Sequence, residues 1–232
     1  MTSPKQLSVA VATLVAIAVG PGLTSAGPII PNGDFSLGSN GFTSNYLHRS
    51  SGTLPDNTLM YPEGTFTVGT DPSLVHDLWA SFGDHTTGDG DMLIVNGNRA
   101  ADVLVWSAAV QVAADTNYDF TAWVASVYPR SPSSLAFSIN GLLVDAPMSL
   151  SSTTGLWLQF AAGWYSGTST TAVLSLVDQN TEWNGNDFAL DDIALNAIAI
   201  SEAEAVVPEP ASLLLFGTGL AALARGLKHR KT

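Results

Sequence analysis

Asp191 and Asp192 stand side by side in Asn186-Asp187-Phe188-Ala189-Leu190-Asp191-Asp192-Ile193, a carboxylate pair inside an apolar stretch. Glycoside hydrolysis needs two carboxylates facing each other across roughly 5–9 Å. Neighbours on an extended strand point to opposite faces, so this pair is not expected to flank one substrate. A second acidic group, Asp84, Asp89 and Asp91, lies among glycines in Gly83-Asp84-His85-Thr86-Thr87-Gly88-Asp89-Gly90-Asp91-Met92, a composition that also suits solvated turns. The histidines, His48, His76, His85 and His229, show no metal-pair spacing. There is no Gly-x-Ser-x-Gly elbow, His-Glu-x-x-His pair or phosphate-binding glycine loop, because Gly217-Thr218-Gly219 falls in an apolar tail. Catalysis is therefore not expected; a hydrolase whose acids pair through space stays open as the lesser reading. Among the aromatics, Trp183 sits in the polar stretch Asn180-Thr181-Glu182-Trp183-Asn184-Gly185, where a core residue is out of place. Such a ring either stacks on a ligand or folds back over the core. Trp79 and Tyr46 are further candidates for ligand stacking. Trp106, Trp123, Trp157 and Trp164 lie in strand patterns and read as core or sheet packing.

The elements that must position these residues have period two. Tyr118, Phe120, Ala122 and Val124 alternate with Asp119, Thr121 and Trp123. The same alternation runs through Leu135, Phe137 and Ile139, through Leu156, Leu158 and Phe160, and through Ala172, Leu174 and Leu176. These are half-buried strands. Further strands are expected near 41–48, 64–69, 91–96, 103–112 and 187–199. Turn clusters such as Asp115-Thr116-Asn117, Asn140-Gly141 and Asn184-Gly185-Asn186 separate them. No amphipathic helix longer than three turns is evident. Many short strands at regular spacing predict an all-β, antiparallel sandwich, with one domain over 27–200.

The opening Asn32-Gly33-Asp34-Phe35, the closing apolar-Asp191-Asp192-apolar strand and the 83–92 stretch resemble the galactose-binding-like jelly rolls, which include several carbohydrate-binding modules. The resemblance implies adjacent first and last strands, and a glycan site in which exposed aromatics (Trp183, Trp79 and Tyr46) stack on sugar faces. It also implies a structural calcium ion where those strands meet, with Asp34, Asp84, Asp89, Asp91 and Asp192 as ligands. Calcium takes six to eight oxygens. The related modules carry a Glu after the opening Phe, and here that position is Ser36.

The two ends have a different character. Residues 1–26 carry Lys5, an apolar run over 7–19, a Gly20-Pro21-Gly22 break and Thr24-Ser25-Ala26 before Gly27, the layout of a signal peptide whose short helix is removed on export. At the other end Pro208-Glu209-Pro210 precedes an apolar run over 212–224, long enough for a marginal membrane anchor helix, and then the basic cluster of Arg225, Lys228, Arg230 and Lys231. These features resemble the PEP-CTERM sorting signal, and so imply exosortase, the export machinery and a transient inner-membrane anchor. A linker over 201–207 joins the sorting segment, 208–232, to the domain. The 232-residue chain has 8 basic and 20 acidic residues and no cysteine. Nineteen of the acids and three of the bases fall within 27–207, a net charge of −16. Such a surface repels nucleic acid and anionic headgroups, and is compatible with cations or neutral glycans. Without disulfides, stability must come from the core. The expectation is a non-enzymatic protein of the cell surface or extracellular polysaccharide, active in adhesion or glycan binding. A structural matrix component without a small ligand is the alternative.

Overall fold

The computed structural model describes residues 29–50 and 57–198. Ser25–Ile200 forms one compact unit. The expected signal segment, linker and sorting segment lie outside the described residues.

Eleven strands are present among the described residues: β1 (Leu47–His48), β2 (Thr65–Gly69), β3 (Met92–Asn96), β4 (Leu104–Gln111), β5 (Asn117–Ser126), β6 (Ser134–Ile139), β7 (Leu142–Leu143), β8 (Met148–Ser149), β9 (Leu158–Tyr165), β10 (Thr171–Asp178) and β11 (Phe188–Ala197). They form two sheets. One has the order β1-β2-β3-β11-β5-β9; the other runs β4-β10-β6-β7, with β8 also on β6. Every pairing is antiparallel except the short β1–β2 ladder, which is parallel. The chain is an all-β sandwich, as its alternation predicts.

Alternate residues of β5, Tyr118, Phe120, Ala122 and Val124, are buried in the core between the sheets, where they meet Phe137, Phe160, Leu174 and Leu190. Phe137 stacks on Phe160 at 4.2 Å and meets Phe120 edge-on at 5.5 Å, the offset and T-shaped geometries that ring quadrupoles favour. A second cluster lies on the outer face of the six-stranded sheet. There Leu59, Met60, Val75 and Trp79 cover Met92, Ile94, Val127 and Ala189. Strand β3 is thus buried on both faces, which explains why Met92-Leu93-Ile94-Val95 is continuously apolar rather than alternating.

The first and last parts of the described unit are neighbours. Ile29 N–H donates to Leu195 O at 3.1 Å, and Ile193 N–H donates to Gly33 O at 2.9 Å. A Cβ on Gly33 would lie 2.0 Å from Ile193 O, so this close approach demands glycine. Asn140 and Gly141, both at positive φ, make the tight turn joining β6 to β7.

Three expectations need correction. Of 41–48 only Leu47–His48 is strand; Thr43 makes a single bridge to Ser107, and the rest wraps the core through Phe42 and Tyr46. Leu156 precedes β9 and is exposed, whereas Trp157 packs on the outer cluster. Asp191 and Asp192 do not point apart. The β11–β5 register shifts between Asp191 and Ala194, with Asp192 at φ 48°, and this bulge turns both carboxylates toward His85.

Candidate functional site

Where β3 and β5 end and β11 begins, three loops meet over a pocket of about 230 Å³. The loop before β2 supplies Tyr61 and Glu63; the excursion between β2 and β3 supplies His76 and Trp79; the loop before β11 supplies Trp183 and Asn184. Asn96, Tyr128 and Asp187 line it from the strand ends.

Each part is held by identifiable bonds. His76 stacks on Trp79 at 4.5 Å and 13°, and Tyr61 lies 4.5 Å from His76, its hydroxyl donating to Asp77 at 2.7 Å. Burial lowers the affinity of His76 for a proton against the opposing pull of Asp77, and Leu78 N–H donates to its Nδ1 at 3.2 Å, as a neutral ring requires. The Trp183 loop is clamped by asparagines. Asn180 Nδ2 donates to Ser131 O and Pro132 O, and Asn186 Nδ2 donates to Asn180 O at 2.7 Å and to Asn98 O at 3.3 Å. A Cβ on Gly97 would strike the Asn186 side chain at 2.1 Å, so the loop seats against bare backbone.

The pocket is acidic, with Glu63 and Asp187 in its wall. Asp187 accepts from Gly97 N–H at 3.2 Å and from Trp79 Nε1 at 3.3 Å, yet burial pushes its carboxyl up to about 8. Burial also raises Glu63 to about 6, against the pull of Arg99. Asn96 Nδ2 donates to Met60 O at 2.5 Å. Asn96 Oδ1 and Glu63 Oε2 are buried without a hydrogen-bond partner among the described residues.

Trp183 and Trp79 therefore meet in one pocket, but differently: Trp183 is 62% exposed, and Trp79 is 5% exposed, with its indole N–H committed to Asp187. Tyr46 is corrected. It is a core residue, 5% exposed, whose hydroxyl accepts from Asn98 N–H, and burial raises its pKa. Glu63, Tyr61, His76 and Tyr128 escape sequence reasoning because they come from separate loops with no shared local pattern. Only the prolines beside Tyr61 and Tyr128 mark turns there.

The carboxylates proposed for calcium do not converge. Among the described residues no group of three or more His, Cys, Asp or Glu side chains is placed to hold a metal ion. Burial alone would raise Asp84, but hydrogen bonds from Thr87 and Gly90 outweigh it and hold the carboxyl low, so its oxygens are already used within its own loop. Asp34 and Asp192 share a shallow depression beside Gly33. Asp34, however, accepts from Ser36, and Asp192 Oδ2 takes His85 Nδ1 at 2.7 Å and the Thr86 hydroxyl. Asp89 is exposed, and Asp91 lies beside Asp71 in a different hollow. As placed, these residues do not fit the six to eight oxygens that calcium takes.

His85 itself stacks on Trp123 at 3.8 Å and 15°, and its backbone N–H donates to Asp191 at 2.9 Å. This constellation ties the 83–91 loop to the bulge of β11.

A protein-family comparison matches the C-terminal stretch that carries Pro208, Glu209, Pro210 and the terminal basic cluster. Residues 206–231 match the PEP-CTERM protein-sorting motif. The sorting motif occupies only that stretch and is silent on the sandwich. No curated protein matches the chain. Among solved structures, a Stig cyclase from Fischerella sp. TAU is similar at 8% identity and TM-score 0.52, over 75% of this chain and 98% of that one. An arabinose-bound α-L-arabinofuranosidase is similar at 11% identity and TM-score 0.51, over 76% of this chain but 27% of that one. A tandem of CBM22 domains from Paenibacillus barcinonensis shares 16% identity over 81% of this chain and 50% of that one, with TM-score 0.47. At such identities the likeness is one of fold, and a fold hosts many chemistries.

Proposed function

We propose that this chain is an exported, non-catalytic glycan-binding protein, sorted through exosortase to the cell surface or its polysaccharide matrix. The observation that carries the reading is the convergence of Trp183, Trp79, Tyr61 and Tyr128 with Glu63, Asn96 and Asp187 in one pocket. Apolar ring faces beside a few fixed acceptors are what a sugar offers partners for: C–H faces for the rings, hydroxyls for the oxygens. At about 230 Å³ the pocket falls below the roughly 300–1,000 Å³ of drug-sized sites, which fits a single sugar ring. The clamped 180–186 loop holds Trp183 before ligand arrives, which lowers the ordering cost. The sorting motif supports delivery to the outside, and the marginal anchor over 212–224 supports transient membrane contact before processing.

The test is a glycan array with the full chain, followed by affinity measurement on the hits. Trp183→Ala is expected to weaken binding by about tenfold or more, with Tm unchanged because the ring is largely exposed. Binding that survives this change would remove the pocket from the reading, and an empty array would favour a structural matrix role.

A hydrolase is the second reading. It is favoured by two carboxylates, Glu63 and Asp187, that line one pocket with raised pKa values. The hydrogen bonds from Gly97 and Trp79 to Asp187 weigh toward a structural role for that group. Glycoside turnover abolished by Glu63→Gln would reverse the order of the two readings.

A further inference from the structure

We propose that the sugar taken by this pocket is cationic, a hexosamine with a free amine, rather than a neutral hexose. The inference rests on the glycan-binding reading above and adds the charge of the ligand. Among the described residues the pocket wall contains no lysine or arginine, while Glu63 and Asp187 both belong to it. Asp178 and Tyr46 lie close enough behind them to interact electrostatically with Asp187, and among the described residues Arg99 is the cation that acts on Glu63. No Lys or Arg makes an ion pair with any of them among the described residues.

The wall also carries buried acceptors that lack a donor. Glu63 Oε2 and Asn96 Oδ1 have no hydrogen-bond donor among the described residues, and one N–H of the Asn96 amide is committed to Met60 O. A hydroxyl brings one proton, whereas an ammonium brings three and a positive charge. It also meets aromatic π faces favourably, and Trp183, 62% exposed, presents one at this pocket. A neutral ring would leave Asp187 in its protonated form and Glu63 Oε2 without a charged partner. An ammonium favours the charged form of Asp187, whose carboxyl burial raises to about 8, and so draws off its proton. Binding near neutral pH is therefore coupled to proton release.

The experiment measures calorimetric binding of the full chain at neutral pH to short oligomers of glucosamine, N-acetylglucosamine and glucose of equal length. It is repeated in buffers of different ionisation enthalpy. The expected result is at least about tenfold tighter binding of the glucosamine oligomer, with proton release, and loss of that preference in Glu63→Gln. Equal or tighter binding of the neutral oligomers would overturn the charge inference and leave the glycan reading intact. Failure of all three to bind would overturn both. Because the 27–207 span is strongly acidic, a Trp183→Ala/Glu63→Gln double variant is the control: undiminished binding there would mean diffuse surface attraction and would also overturn the inference.

Discussion

Asp187 shows how a single side chain can set the pH range of the molecule. Its carboxyl is pushed up to about 8 by burial, far above the ordinary 3.8. The folded protein therefore keeps a proton that the unfolded chain releases near pH 4. Stability tied to this group is complete below the unfolded value and is lost as pH rises through about 8. Asp191, raised to about 7, and Asp178 and Glu63, raised to about 6, act in the same direction. Tm should therefore fall between about pH 5 and about pH 8, and Asp187→Asn should flatten the upper part of that fall. A thermal melt series checks this, and a midpoint rising over the interval would contradict it.

At the level of elements, two loops are held by different means. The 180–186 loop depends on Asn180 and Asn186 finding backbone carbonyls, and on Gly97 leaving room for the Asn186 side chain. Gly97→Ala should cost about 1–3 kcal/mol through the clash and the unsatisfied amide. It should also displace Trp183 and weaken glycan binding, while the inter-sheet core stays folded. Chemical denaturation and an affinity measurement on the same variant separate the two effects. The 83–91 loop is fastened instead by its own acids: Asp84 closes it internally, and His85 and Thr86 fix it to Asp192. Because these carboxylates are already engaged, a chelator should leave Tm unchanged. A bound ion would raise Tm by mass action, so a lower midpoint in chelator would restore the calcium assignment.

At the scale of the whole molecule, the sandwich and the C-terminal sorting motif occupy separate stretches of the sequence. The core described between the sheets is drawn from residues 29–197, and the sorting motif spans 206–231. Replacing Pro208-Glu209-Pro210 with alanines should leave the melting curve of the sandwich in place. In a host that carries exosortase, it should cause an uncut, membrane-associated precursor to accumulate. Cell fractionation and the mass of the chain test this. Normal processing of the variant would show that the tripeptide is not what is read.

Periodicity of two along the chain, turns such as Asn140-Gly141 and the order of features at the C terminus determined the fold class and the sorting motif. These signals are local: a strand's faces follow from alternation, and a sorting segment works as a linear string. The closeness of the opening and closing segments was implied only by the resemblance to galactose-binding-like jelly rolls that Asn32-Gly33-Asp34-Phe35 and the Asp191-Asp192 stretch carry. The pocket was not. Trp183 announced itself by standing in polar company, but Glu63, His76 and Tyr128 become neighbours only when three loops cross the ends of β3, β5 and β11. Tyr46 looked available and is buried, because the wrap of 41–48 turns it inward. The bulge in β11 reverses the simple alternation rule at Asp192, and with it the expectation that the paired acids face apart. Side-chain convergence across 120 residues of chain is decided by packing, and no local pattern encodes it.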